Sequence, residues 1–230
     1  MKRDENDVPV YGCCAAIGSA GTGIAPEIAL SSTENGIAFN LYFAGTYSIA
    51  SPNGKEFDIE VKTQYPADGK VVFEILSDVD EAFDIKLRNP AFSKNTSVSL
   101  NGKNVAASQG YITVSNTWKK GDIITLDIDM SPRIVLPVTN DANDVRKFIA
   151  VLYGPLCLAR DSAVHSDAGE AVDLDYADDL SIQIKVNGKT DYALCEFEVP
   201  CKNGASITMI DYQSAGKDWE SPIEVWMPTK

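Results

Sequence analysis

The sequence predicts an all-β protein built from antiparallel β-sandwiches, and two observations support that fold class. After residue 35 the chain consists of short segments rich in β-branched and aromatic residues, several of which alternate apolar with polar side chains. Asn-Gly and Asp-Gly dipeptides, which accept the positive φ angles of tight hairpin turns, separate many of these segments. Helical patterns do not alternate with the strands, so a parallel sheet with crossover helices is not predicted.

The individual strands follow from side-chain alternation. In "DIITLDIDM" the residues Ile124, Leu126, Ile128 and Met130 fall on one face, which is period two rather than the period of a helix. The predicted strands are 37–43, 57–63, 70–76, 83–88, 110–115, 122–130, 146–153, 181–186, 206–211 and 223–227. The stretches "VSLNGKNV" and "IKVNGKTD" are predicted as hairpins that turn at Asn-Gly.

The segment 17–32 differs from the rest of the chain. Ile17, Ala20, Ile24 and Ile28 recur at steps of three and four residues, which is a helical spacing. Its glycines and Pro26 make it a poor isolated helix. We therefore predict one short N-terminal helix that needs a packing partner, with exposed apolar surface around residues 15–30 and a tendency to self-associate as a homo-oligomer.

The segment 161–179 is acidic and poor in large apolar residues. Such a composition is typical of a surface loop, and we predict that this segment is an excursion between strands.

The overall charge limits the classes of partner. The net charge of -13 disfavours nucleic acids and anionic membrane surfaces, because both need a basic face. A neutral ligand such as a sugar is compatible with this charge, and so is the absence of any ligand. The chain contains no apolar run of membrane-spanning length. No signal peptide is visible in "MKRDENDVPV", which favours a cytoplasmic over a periplasmic location.

The cysteines raise the main chemical question. There are five, an odd number, and Cys13 and Cys14 are adjacent, so they are poorly placed to pair with each other. Cys157 and Cys195 lie in apolar or alternating runs, which predicts small buried side chains. The adjacent pair offers only two of the four ligands that zinc prefers, so the spacing alone does not predict a complete zinc site.

Other catalytic motifs are not found. "GSAGTG" lacks the lysine and the spacing of a phosphate-binding loop. His165 is the sole histidine, and no G-x-S-x-G motif accompanies it, so a serine-hydrolase triad is not predicted.

An ordered set of motifs resembles glycoside hydrolase family 127, the β-L-arabinofuranosidase-like enzymes. The motifs are "YGCC", "NLYFAGTYS", "VKTQYPADGKVVFEI", "FDIKLRNPAF", "VSLNGKNV", "GYITVSNTWKKGDIITLDIDMSPR", "FIAVLYGPLCLA" and "ITMIDYQSAGKDWESPIEVWMP". The resemblance covers nearly the whole chain in order.

The resemblance implies a domain organisation. Family members carry an α/α barrel before the adjacent cysteines, so residues 1–34 would be the end of that barrel and its last helix. Residues 35–137 together with 206–230 would form a first β-sandwich, and residues 138–205 a second. We therefore expect a truncated enzyme, or one whose barrel is a separate polypeptide.

The resemblance also implies roles for the paired thiols. Cys13 would be the nucleophile and a zinc ligand, and Cys14 a second zinc ligand. A zinc-bound thiolate can attack an anomeric carbon, while a carboxylic acid protonates the leaving oxygen. The family's acid/base glutamate and remaining zinc ligands belong to the barrel, so the full enzyme would hold zinc and we expect this chain alone to hold none. Glu27 and Glu34 do not match those motifs and are predicted to be surface residues.

Two classes of function remain open at this point. One is the C-terminal β-sandwich part of an arabinofuranosidase-like hydrolase, inactive alone and acting on an arabinose-containing glycan. The alternative is a non-catalytic carbohydrate-binding or structural module. The aromatic side chains of Tyr111, Trp118, Trp219 and Trp226 would either stack against a sugar or pack within the sheets, and the sequence favours packing.

Overall fold

The computed structural model describes residues 2–3, 9–10, 12–138, 147–165, 168–218 and 220–230, with only the backbone described at residues 2, 3, 9, 10, 14 and 15. The chain divides into two compact units. The first comprises 1–63, 70–91 and 96–127, and the second comprises 64–69, 92–95 and 128–230. Most of the ordered structure is antiparallel strand, with one N-terminal α-helix, so the predicted fold class is confirmed.

In the described part of the first unit there are one helix and twelve strands. Its elements are β1 (Lys2–Arg3), β2 (Pro9–Val10), α1 (Gly12–Ala29), β3 (Leu30–Thr33), β4 (Gly36–Phe39), β5 (Gly45–Ala50), β6 (Glu56–Thr63), β7 (Lys70–Ile75), β8 (Glu81–Asn89), β9 (Ser97–Leu100), β10 (Lys103–Val105), β11 (Gly110–Trp118) and β12 (Ile123–Asp127).

The larger strands of the first unit form two sheets, and β1 pairs separately with β2. One sheet has the order β10-β9-β12-β7-β6-β5 and the other β11-β8-β4-β3. Their inner faces pack as a sandwich core. In this core the ring centroids of Phe39 and Phe73 are 4.9 Å apart, and those of Phe57 and Phe83 are 5.5 Å apart. Trp118 is fully buried beside Phe83 and donates its indole N–H to the Phe83 carbonyl at 2.9 Å, so the buried donor is satisfied.

The four-stranded sheet contains one parallel pair, β4 with β8, which the alternation pattern did not predict. Gly36 lies opposite Asp84 in this pair, and a Cβ atom at position 36 would lie 1.8 Å from the Asp84 carbonyl oxygen. The backbones can approach this closely only because residue 36 is glycine.

The helix α1 confirms the predicted N-terminal helix, although it begins and ends earlier than residues 17–32. Its described side chains are almost entirely exposed, with 73% of Ile17, 52% of Ile24 and 48% of Ile28 accessible, and among them only Ala29 is buried. The predicted exposed apolar surface is therefore present.

The second unit contains an eight-stranded sheet. Its elements are β13 (Pro132–Val135), β14 (Phe148–Tyr153), β15 (Leu156–Asp161), β16 (Lys185–Gly188), β17 (Glu196–Pro200), β18 (Ser206–Asp211), a 3₁₀ turn (Tyr212–Ser214), β19 (Ile223–Glu224) and β20 (Met227–Pro228). The order is β13-β14-β15-β18-β17-β16, with β19 paired to β15 and β20 to β14. Its core includes Val151, Leu158, Phe197, Met209 and Met227.

Two features of the second unit differ from the sequence-based expectations. The motif resemblance predicts that residues 206–230 complete the first sandwich, but β18 pairs with β15 and β17, so they belong to the second unit. The segment 161–179 is not wholly a surface excursion, because Val172 and Leu174 are buried and make bridges to Thr229 and Cys201. Val172 and Leu174 alternate with the exposed Asp173 and Asp175, so one face of this stretch is buried although its composition is acidic.

Of the two predicted Asn-Gly turns, the one at residues 101–102 is confirmed and the one at residues 187–188 is wrong. Asn101 and Gly102 both adopt positive φ angles, 50° and 76°, between β9 and β10, as a two-residue hairpin requires. At 187–188 the strand β16 continues through the dipeptide, and the register shifts between Val186 and Gly188. The second dipeptide therefore forms an irregularity within a strand rather than a turn.

Within the described residues, no helix combines the length and the apolar character needed to cross a membrane.

The Gly36–Asp84 approach generates a stability prediction. We expect Gly36→Ala to lower the free energy of unfolding by about 3 kcal/mol or more, because the added methyl group would force β4 away from β8. Denaturant unfolding followed by tryptophan fluorescence measures this change. Gly21→Ala is the matched control, since its added Cβ would meet no atom within 4 Å and alanine favours a helix; equal destabilisation by both variants would contradict the prediction.

Candidate functional site

The proposed nucleophile lies in the first turn of the exposed helix. Cys13 is the second residue of α1, and its side chain is exposed. The backbone of Cys14 continues the helix, but its side chain lies outside the described part of the structure. The structure therefore places one of the two predicted site residues at an accessible surface and leaves the orientation of the other undescribed.

The fit of the described residues to a zinc ion can be tested from the ligand-type side chains near Cys13. Among the residues that the structure describes, no group of three or more His, Cys, Asp or Glu side chains could hold a metal ion. A zinc site needs at least three protein ligands. The described residues therefore do not fit a complete zinc site on their own.

Cys157 and Cys195 have the surroundings of structural thiols. Cys195 is fully buried, and burial together with the neighbouring Asp211 carboxylate raises the pKa of its thiol. Cys157 is half-buried, and burial raises the pKa of its thiol as well. Both thiols therefore favour the unreactive protonated form, in agreement with the predicted packing role.

The second unit contains the buried carboxylates of Asp161 and Asp211. Asp161 accepts hydrogen bonds from Tyr192 Oη at 3.0 Å and from the backbone N–H groups of Ala163 and Gly216 at 2.8 and 2.9 Å. Asp211 accepts from the Cys195 N–H at 2.8 Å and from the Ser214 N–H at 3.1 Å. Donors converging on each carboxylate tie loops to the sheet, so both residues have a structural role.

The four aromatic residues that sequence analysis singled out do not share one environment. Trp118 is in the core of the first unit, which confirms the packing interpretation for that residue. Tyr111 in the first unit and Trp226 in the second are 42% and 44% exposed, and Trp219 lies outside the described residues.

Tyr111 belongs to a polar surface on the outer side of the four-stranded sheet, which we name the β8–β11 face. Its members alternate with the core residues of the two strands and are Tyr111, Thr113, Ser115 and Thr117 on β11 and Ala82, Asp84, Lys86 and Arg88 on β8. The register places Tyr111 opposite Arg88, Thr113 opposite Lys86 and Ser115 opposite Asp84. The Ser115 hydroxyl donates to Asp84 Oδ1 at 2.5 Å.

One end of the β8–β11 face opens into a cleft of about 650 Å³. Its polar lining includes Glu34, Asn35, Asn53, Glu81, Asp84 and Ser115. Glu81 fixes one wall, because its carboxylate accepts from Ser51 Oγ at 2.5 Å and from Asn53 Nδ2 at 2.7 Å. Glu27 and Glu34 are both exposed, as the sequence predicted.

Comparison with known proteins identifies the class to which this fold belongs. The chain is a β-sandwich protein, and residues 36–130 match the family model described as the middle domain of the GH127 beta-L-arabinofuranosidases. Residues 36–130 are therefore similar to the GH127 middle domain, which confirms the resemblance inferred from the motifs. Comparison with curated protein sequences gives no match.

Solved structures show the same fold over the whole chain. A structure titled "Glycoside hydrolase" matches with a TM-score of 0.73 and 22% identity over 100% of this chain. A GH127 beta-arabinofuranosidase matches with a TM-score of 0.75 and 23% identity over 97% of this chain. A GH127 beta-L-arabinofuranosidase from Geobacillus stearothermophilus matches with a TM-score of 0.72 and 18% identity over 100% of this chain. The chain spans only 43%, 40% and 40% of those three structures.

Sequence reasoning found Cys13 and Tyr111 but missed the cleft. The cleft residues Asn53, Asp84 and Ser115 come from three separate segments of the chain. They meet only because β11 and β8 pair and the 50–55 turn lies beside Glu81. No local motif marks such an arrangement.

The contrast among the cysteines generates a reactivity prediction. We expect iodoacetamide to modify the exposed Cys13 of the native chain well before Cys195, and modification of Cys195 to require unfolding or high pH. A raised thiol pKa lowers the thiolate fraction at neutral pH, so the rate at Cys195 increases as pH rises towards that pKa. Peptide mass spectrometry over a time course measures this order, and equal rates at the two positions would contradict it.

Proposed function

We propose that this chain forms the β-sandwich part of a β-L-arabinofuranosidase-like glycoside hydrolase that acts on an arabinose-containing glycan. The observation that carries the proposal is the match of residues 36–130 to the GH127 middle domain. The full-length structural likeness to GH127 enzymes supports it through the fold. In this proposal Cys13 is the nucleophile, and an α/α barrel, on this or another polypeptide, supplies the other catalytic groups.

The proposed reaction is a double displacement. The Cys13 thiolate forms a bond to the anomeric carbon while the bond to the leaving oxygen breaks, and a carboxylic acid of the barrel donates a proton to that oxygen. Water then attacks the anomeric carbon, the same carboxylate accepts its proton, and the thiolate leaves. In the family pattern Cys13 and Cys14 are also zinc ligands, and the ligands that would complete such a site must come from outside the described residues.

The exposure of helix α1 supports the proposal that a partner domain or polypeptide packs against it. An 18-residue helix with four glycines and Pro26, whose apolar side chains lie in solvent, receives little stabilisation from its own unit. A partner that covers Ile17, Ile24 and Ile28 would order the helix and fix the direction of the Cys13 side chain. We propose that this partner is the barrel, with self-association through the same apolar residues as the alternative.

A second candidate function is a non-catalytic carbohydrate-binding module. The observation that favours it is the β8–β11 face with its adjoining cleft, which lies within one compact unit and does not require Cys13.

The proposed function predicts that the 230-residue chain alone does not hydrolyse an aryl β-L-arabinofuranoside and does not bind stoichiometric zinc. It also predicts that turnover appears when a barrel polypeptide is added. In the complemented sample we expect Cys13→Ser to reduce turnover by about 1,000-fold or more, because a weaker nucleophile replaces the thiolate. Cys201→Ser is the matched control and should retain turnover.

Release of the chromogenic aglycone and elemental analysis of the protein provide the two measurements. Turnover together with stoichiometric zinc in the chain alone would overturn the two-body proposal. Unchanged turnover in complemented Cys13→Ser would overturn the assignment of the nucleophile.

A further inference from the structure

We propose that the β8–β11 face binds a neutral saccharide, with Tyr111 as the platform for one sugar ring and the cleft beside Asp84 as the site for another. The inference rests on the proposed function only for the choice of arabinose-containing sugars. It names a binding site within the first unit that does not include Cys13.

Tyr111 is held in a fixed orientation although it is exposed. Its hydroxyl donates to Asn40 Oδ1 at 2.5 Å, so the side chain reaches from β11 across β8 to the residue that follows β4. Asn40 is itself fixed, because its Nδ2 donates to the Ile28 carbonyl at 2.9 Å and to Ser31 Oγ at 2.8 Å. An exposed ring held by its polar end loses little conformational freedom when a ligand stacks on it.

The turn before β11 also directs the ring. Gly110 has a φ of 80°, and the Ser108 hydroxyl donates to the Tyr111 carbonyl at 2.6 Å. The backbone at Tyr111 is therefore fixed at the same point as its side chain, so this residue, which is 42% exposed, is a preformed aromatic group within a polar face. The C–H groups of a sugar ring carry partial positive charge and favour the electron-rich face of such a ring.

The remaining side chains of the face have the chemistry that binds hydroxyl groups. Ser115 and Asp84 lie side by side at the cleft, and Thr113 and Lys86 lie between the cleft and Tyr111. A carboxylate can accept from several hydroxyls, a serine or threonine hydroxyl can both donate and accept, and a lysine can donate. Such a mixture matches a ligand that presents many hydroxyls and no charge.

The dimensions fit a short oligosaccharide. Tyr111 and Ser115 lie four residues apart on one strand, which corresponds to about 14 Å at the rise of an antiparallel strand. The cleft of about 650 Å³ at the Ser115 end has room for a sugar unit. A chain that stacks one ring on Tyr111 can therefore place a second ring in the cleft.

The charge of the surface favours a neutral over an anionic glycan. The cleft contains the carboxylates of Glu34, Glu81 and Asp84, and the whole chain has a net charge of -13. A uronate polymer would meet this negative potential, whereas a neutral sugar would not.

The experiment measures sugar binding to the 230-residue chain by titration calorimetry and saturation-transfer NMR, with arabino-oligosaccharides, cello-oligosaccharides and polygalacturonate as probes. We expect millimolar or tighter binding of a neutral probe and none of polygalacturonate. Tyr111→Ala should weaken binding by about tenfold or more, because it removes the platform. Tyr111→Phe should weaken it less, because the ring remains but its tether to Asn40 is lost.

Tyr212→Ala is the matched control, because Tyr212 is a similarly exposed tyrosine, 50% accessible, in the second unit. Its binding should equal that of the unaltered chain, and circular dichroism should show that every variant is folded. Absence of binding to all neutral probes, equal binding of polygalacturonate, or equal losses in Tyr111→Ala and Tyr212→Ala would each overturn the inference. None of these outcomes depends on hydrolysis, so the proposed function could stand while this inference fails.

Discussion

The four-stranded sheet of the first unit depends on the close approach of two backbones at Gly36 and Asp84. This contact lets β4 pair in parallel with β8. The pairing fixes the position of the C-terminal end of β4, and Asn40 is the residue directly after that end. Asn40 in turn orients Tyr111 and bonds to the carbonyl of Ile28 near the end of α1. The geometry of the β8–β11 face and the exit of the helix therefore both depend on a position that cannot carry a side chain.

Much of the fold could be predicted from local patterns, because a half-buried strand reveals itself by alternation. The strands β6, β7, β8 and β12 were all predicted in this way. The parallel pairing of β4 with β8 could not be predicted from local patterns, since strands that are distant in the sequence show no periodic signal of their pairing. The exchange of short segments between units, with 64–69 and 92–95 in the second unit, has the same cause: it is set by long-range packing.

The candidate site was predictable only in part, for a related physical reason. Cys13 was found because two adjacent cysteines are conspicuous and because the neighbouring motifs resemble a known family. Tyr111 is a candidate from the sequence because it is aromatic. The residue type alone does not indicate that Tyr111 is exposed and Trp118 is buried. The difference follows from register, because Tyr111 and Trp118 are seven residues apart on one strand and so point to opposite faces.

The same reasoning explains why chemistry at Cys13 should depend on a partner. Catalysis by a nucleophile requires its sulfur to be held within hydrogen-bonding accuracy of the reacting carbon. Among the described side chains of the α-helix that carries Cys13, Ala29 alone is buried, so in the proposed function a partner that covers Ile17, Ile24 and Ile28 supplies the free energy that fixes the helix. Tyr111, in contrast, is already held by hydrogen bonds within its own unit. Under the two proposals, the sugar-binding surface therefore operates in the isolated chain, whereas the thiol chemistry requires that the helix be covered.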